Sequence, residues 1–158
     1  MYEAILILIV STALLLFYLQ ATCQKILRRR AHEEYYHSIV NANRLEFPYV
    51  RSAIVDYDAP LDYRRFRMQL KCDYLALAYL MRNALNAKQQ LSRDERILVL
   101  YTHALFSLLS VFHVVGIGEK AVMLRLTAIL QYFSNVLGER VSKIRFGNMT
   151  ASEYLLSL

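Results

Sequence analysis

His103, Ser107, Ser110 and His113 fall within about a third of a helical circumference at 100° per residue. They form a polar seam in residues 97–118, a stretch of 22 residues with no Asp, Glu, Lys or Arg. Two kinds of chemistry suit such a seam. Buried imidazole ligates haem or a pigment metal. Imidazoles and hydroxyls also hold helices together, bonding across a bundle or back to carbonyls. A bis-histidine haem needs a second imidazole on a facing helix, and only His32 and His37 remain, close behind the apolar N-terminal segment. The expectation is a buried polar seam that joins helices and binds no cofactor.

Arg64, Arg67, Lys71 and Arg82 recur on one helical face, with Arg65 beside them and Tyr63 and Tyr74 near. Cations interleaved with aromatics can hold nucleic acid or an acidic protein surface. The chain has 19 Lys and Arg against 13 Asp and Glu, a net charge of +6. Half of that excess lies in residues 1–30, so the rest is only mildly basic. This weighs against nucleic acid as a partner and leaves the four residues as a candidate protein-partner face.

Other constellations are weaker. Glu34 and His37 have the three-residue spacing that di-iron bundles use, but such a site needs a second pair, and the chain has none. Asp56, Asp58 and Asp62 are oxygen ligands without the spacing, bidentate Glu or central Gly of a calcium loop, and turn formation explains them. Cys72 has apolar neighbours three and four residues away and reads as inert core. No serine elbow or phosphate loop occurs, so no catalytic or metal-ligating residue is nominated. Twelve tyrosines and no tryptophan, with tyrosine concentrated in the first half, suit a contact surface, because tyrosine buries a ring and keeps a polar tip.

The elements that must position these residues are helices. Residues 4–22 carry no charge and would span about 28 Å as a helix, close to the thickness of a bilayer core. A cleaved leader needs a positive start and a small-residue cleavage site. Here the only early charge is Glu3, and Gln20-Ala21-Thr22 before Cys23 is a poor lipoprotein site. The segment is expected to be an uncleaved anchor. Lys25, Arg28, Arg29 and Arg30 follow it and mark the cytoplasmic side. The same four residues form a membrane-surface cluster that can meet anionic lipid at about 1 kcal/mol per charge. The expected location is the inner (plasma) membrane, with the N-terminus outside and the bulk of the chain cytoplasmic. The sequon at Asn148 should then go unused, and Cys23, at the inner boundary, reads as a small apolar residue rather than a palmitoylation site.

Beyond the anchor, apolar positions recur three and four apart, as in Val122, Leu126, Ile129, Phe133 and Val136. The anchor helix could run on to Val40, with Asn41, Asn43 and Pro48 marking a connection and residues 49–55 a short helix or turn. Asp58-Ala59-Pro60 should start the next helix, which runs to about Leu85. Ser92 and Glu95 make a capping box, and Gly116 or Gly118 should end that helix. A further helix follows from Glu119 to about Leu137, where Gly138 ends or kinks it, although Val141 and Ile144 keep the apolar phase and allow it to continue, and Thr150 or Ser152 caps a terminal turn.

The fold class is all-α, an N-terminal transmembrane helix (residues 1–30 with its basic flank) followed by a three- to four-helix bundle (residues 31–158). The charge-free stretch 97–118 is expected to be the central, surrounded helix of that bundle. The rival is a three-pass protein in which residues 97–137 form a second membrane hairpin and its seam contacts a cofactor, pigment or quinone. The expected function is that of a membrane-anchored accessory, adaptor or assembly subunit, with the bilayer and other subunits of a membrane complex as partners and no small-molecule substrate. A membrane-tethered nucleic-acid or anionic-lipid binder is the further alternative.

Overall fold

The computed structural model describes residues 2–29, 35–56, 62–83, 91–116 and 118–147, and every element among them is an α-helix. In chain order these are α1 (Tyr2–Arg29), α2 (Tyr36–Asn43), α3 (Phe47–Asp56), α4 (Tyr63–Asn83), α5 (Arg93–Val115) and α6 (Glu119–Gly147). The all-helical expectation holds, with two short helices added to the longer ones. The expected starts at Asp58–Pro60 and at Thr150 or Ser152, and the Asn148 sequon, lie outside the described residues.

The centre of the bundle is α6, not α5. The other five helices all pack on α6, and residues 132–138 are buried through two successive turns. Val122, Met123, Leu126, Ile129, Leu130, Phe133, Val136 and Leu137 supply its apolar surface, and Thr127, Ser134 and Asn135 are fully buried beside them. A helix can be covered on all sides when its side chains are apolar all round. Both α5 and α6 meet that condition, and length and composition could not rank them. In α5 only one face is buried, through Leu98, Tyr101, Thr102, Leu105 and Leu109, while Leu100, Val111, Val114 and Val115 are exposed.

Three helices, α1, α5 and α6, are long and apolar enough to cross a membrane, which marks the chain as a membrane protein. They differ in what surrounds them. Of the most apolar stretch of each helix, none is buried in α1, 28% in α5 and 72% in α6. Residues 2–18 of α1 are exposed on every side. From Leu19 onward the helix joins the bundle, and Cys23 and Ile26 enter the core.

The expected continuation of the anchor helix to Val40 passes through residues outside the described ones; Tyr36–Asn43 is a helix of its own, and the Tyr36 amide donates to Asn135 Oδ1 of α6 at 2.8 Å. Gly138, one turn further along α6, lets the chain at Tyr35 come close: an added Cβ would lie 2.7 Å from the Tyr35 carbonyl oxygen. Of the two outcomes expected at Gly138, the helix does not end there but continues to Gly147, and the glycine serves a contact. Gly138→Ala would gain about 1 kcal/mol of helix propensity but collide with backbone at a cost of about 1–3 kcal/mol. The expected outcome is a lower melting temperature with early loss of α2, read by hydrogen exchange at residues 36–43.

The capping box forms as expected. Ser92 Oγ accepts from the Glu95 amide, and Glu95 Oε2 accepts from the Ser92 amide at 3.0 Å. Glu95 Oε1 also pairs with Arg140, which joins the start of α5 to the C-terminal half of α6. At the other end Gly116 closes α5 at φ 74°, its amide donating to the Phe112 carbonyl, and Gly118 at φ 83° leads into α6. Both glycines occupy the left-handed region that costs other residues about 1 kcal/mol or more.

Candidate functional site

Two of the sequence-derived patches meet along the line where α4 lies beside α5. The helices run antiparallel and are bridged by side chains. Near one end the Tyr63 ring stacks on His113, with centroids 3.6 Å apart and planes 2° from parallel, and Tyr63 Oη donates to the Leu109 carbonyl at 3.3 Å. One turn on, Arg67 Nη2 donates to Ser110 Oγ at 3.2 Å. Further along, Tyr74 Oη lies 3.4 Å from His103 Nε2, with the two rings edge to face. Between these bridges is an open groove of about 310 Å³, lined by Arg67, Lys71, Tyr74, His103, Ser107 and Ser110 with two apolar neighbours.

The expected buried polar seam is thus a groove wall. His103, Ser107 and His113 are exposed and Ser110 is half-buried. Ser107 and Ser110 bond back to the carbonyls of His103 and Phe106, and His113 Nδ1 lies 2.9 Å from Glu119 Oε1. Side chains of the seam reach α4, but that helix is polar on this side and the line of contact opens to solvent. His103 and His113 are ten positions, roughly 15 Å, apart along α5, too far to share one metal ion.

The candidate partner face on α4 is outward. Arg64, Lys71 and Arg82 are exposed and Arg67 is half-buried in the groove. Arg67 and Lys71 belong to the groove; Arg64 flanks it near Tyr63; Arg82 sits three turns away beside a small apolar cavity bordered by Leu91, Val99 and Phe133.

Sequence reasoning missed the surface next to these cations. Met68, Cys72, Leu75 and Tyr79 follow one another at helical spacing and are all exposed, Met68 at 65%, Leu75 at 56% and Tyr79 at 67%. Cys72 is therefore not inert core. The residues of α4 that face inward are Leu70, Asp73, Tyr74, Leu77 and Met81. The outer stripe runs alongside the row Arg64, Lys71 and Arg82, so α4 presents an apolar strip with a cationic border.

Lys25, Arg28 and Arg29 are exposed on α1, Arg28 at the rim of a cavity shared with Arg51 of α3 and Gln131 of α6, and Arg30 lies outside the described residues. Cys23 is fully buried, as a small apolar residue would be. His37 is exposed and rests against Tyr36, while Glu34 lies outside the described residues. Asp62 Oδ1 caps α4 through the Arg65 amide, Asp56 is exposed, and Asp58 lies outside the described residues. Among the described residues no three His, Cys, Asp or Glu side chains gather as a metal site would require.

The one buried carboxylate on α4, Asp73, works on structure. Its Oδ2 accepts from the Glu46 amide at 2.8 Å and the Phe47 amide at 2.6 Å, capping α3 from a different helix. Burial pushes its pKa up from 3.8 to about 6 against the lowering effect of the two amides. The arrangement around α4 and α5 can bind, through cations, a hydroxyl-rich groove and an apolar strip. No family model, no curated protein and no solved structure matches the chain.

Proposed function

We propose that the protein is a membrane-anchored adaptor, or accessory subunit, whose outer α4 face receives a partner protein. The observation that carries this reading is the exposed stripe Met68, Cys72, Leu75 and Tyr79 beside Arg64, Lys71 and Arg82. Apolar anchors at this spacing suit a partner helix, and the cationic border favours one with acidic flanks. A second copy of this chain would bring like charges together.

Residues 2–18 of α1 act as the single membrane span. They alone are free of protein cover, whereas α6 is enclosed and α5 carries Arg93, Arg96, His103 and Ser107 on its outward face. Lys25, Arg28 and Arg29 on the trailing side favour an inner (plasma) membrane topology with the N-terminus outside and the bundle cytoplasmic. Anchoring then keeps the bundle at high effective concentration near membrane-bound partners, which is how tethering raises occupancy without new contacts.

The test is co-purification of the full-length protein with its membrane complex. Leu75→Glu and Lys71→Glu are expected to reduce recovery of the wild-type partner about tenfold or more, the effect of removing an interface anchor. Val55→Glu, at an exposed position on α3, is the control and should leave recovery unchanged. Equal recovery with all three variants would sink the reading.

A further inference from the structure

The apolar end of the α5–α6 hairpin lies where the anchor leaves the bundle. Tyr101 of α5 has both Cys23 of α1 and Arg125 of α6 beside it. Leu27 of α1 borders the same cavity as Ala128, Gln131 and Tyr132 of α6. Tyr35, beyond α1, lies against Gly138, further along α6 than the Leu27 neighbours, so the chain advances along α6 about a hundred positions behind it, and α1 runs parallel to α6 at roughly 1.5 Å per residue. Leu19, where α1 begins to pack, is then level with the start of α6, and the bare segment 2–18 extends past the hairpin turn. At about 25 Å that segment nearly fills a bilayer core. The turn therefore lies at the membrane surface if α1 is the span.

What the turn presents fits that position. Val114 is 87% exposed, Val115 60% and Val111 56%, a cluster of large apolar side chains on a tip held by two left-handed glycines. The first turn of α4 is at the same end, fixed there by the Tyr63–His113 stack, and it carries Arg64 and Arg65, both exposed. Among the described residues the acids at this end are Asp62, which caps α4, Glu119, which faces His113, and Asp56 at the end of α3. An apolar tip with two exposed arginines beside it suits the boundary between acyl chains and anionic headgroups.

We propose that the Val111/Val114/Val115 tip inserts into the bilayer interface beside the anchor, with Arg64 and Arg65 meeting anionic lipid headgroups. The inference rests on α1 being the membrane span. It gives the bundle a second, fixed contact with the membrane, so that the bundle stands in one orientation and the outer α4 face points along the surface at a set height.

The test uses the full-length protein with Cys72→Ser, reconstituted in vesicles of phosphatidylcholine with or without phosphatidylglycerol. An environment-sensitive fluorophore is placed on Val114→Cys, Leu8→Cys or Tyr79→Cys, and nitroxide-bearing lipids serve as quenchers. The expected result is quenching of Leu8 by deep nitroxides, of Val114 by shallow ones, and little quenching of Tyr79. Arg64→Gln with Arg65→Gln should shift the docked-to-undocked ratio at Val114 by about fivefold per arginine, only in vesicles with the anionic lipid. Quenched Leu8 with Val114 as aqueous as Tyr79 overturns tip insertion alone. Unquenched Leu8 overturns the anchor reading and the inference with it. Deep quenching of a label at His103→Cys overturns both in favour of a hairpin that crosses the bilayer.

Discussion

Glu95→Ala is expected to lower the unfolding free energy by about 3–5 kcal/mol, the cost of leaving a buried charge without its partner. Glu95 is 3% exposed, and its two oxygens serve two elements: one accepts from the amide of Ser92, the N-cap of α5, and the other pairs with Arg140 of α6. Alanine removes both at once. Arg140 would keep its charge in a largely enclosed position where its Nη1 already lacks a partner among the described residues. For a domain whose whole stability is about 5–15 kcal/mol, the variant should be partly unfolded at growth temperature. Ser92→Ala isolates the cap and should cost about 1 kcal/mol. Replacing Glu95 and Arg140 together by leucine should restore much of the loss, since no buried charge then remains. Equilibrium unfolding of the full-length protein in mild detergent, followed by circular dichroism, reads all three. Equal losses for Glu95→Ala and Ser92→Ala would mean that the Arg140 pair contributes nothing.

How much of this could be seen in advance depended on whether the deciding interaction was local. The capping box at Ser92, the end of α5 at Gly116 and the apolar N-terminal helix are local, and they were legible from neighbouring residues. What was not legible turned on comparison between equals. In α4 the series Leu70, Tyr74, Leu77 and Met81 has the same spacing as Met68, Cys72, Leu75 and Tyr79, offset by two residues and so on the opposite face. Periodicity detects both stripes and cannot say which is inside. The flanking cations were the available signal, because Arg64, Lys71 and Arg82 border the outer stripe. The same difficulty made α5 look central, since two apolar helices of similar length compete for one central place. Gly138 and Asn135 read as a helix break and an ordinary polar residue because their partners, at Tyr35 and Tyr36, are about a hundred positions away.

Asp73 is the residue whose removal should show the other large effect, and its pH dependence has a definite sign. Among the buried α4 positions it is the one charged residue, a signal that sequence reading passed over. Its folded pKa of about 6 lies above the ordinary aspartate value of 3.8, mainly because burial disfavours the carboxylate. Between those two values the native protein holds a proton that the unfolded chain has released. This group's contribution to stability is therefore complete below about pH 4, declines as pH rises towards 6, and is constant above that. Asp73→Asn retains an oxygen that can accept from the Glu46 and Phe47 amides and carries no charge. It should flatten the decline between pH 4 and 6 and match or exceed the wild type in stability at pH 7. Asp73→Ala leaves two amides at the start of α3 without an acceptor, at a cost of about 2–4 kcal/mol. Because Phe47 is itself 2% exposed, its amide has little access to water as a substitute. Unfolding curves of the three proteins from pH 4 to 8 give the comparison. If Asp73→Asn kept the wild-type slope, the titrating group would lie elsewhere, and if Asp73→Ala cost no more than Asp73→Asn, the long-range cap would not be holding α3.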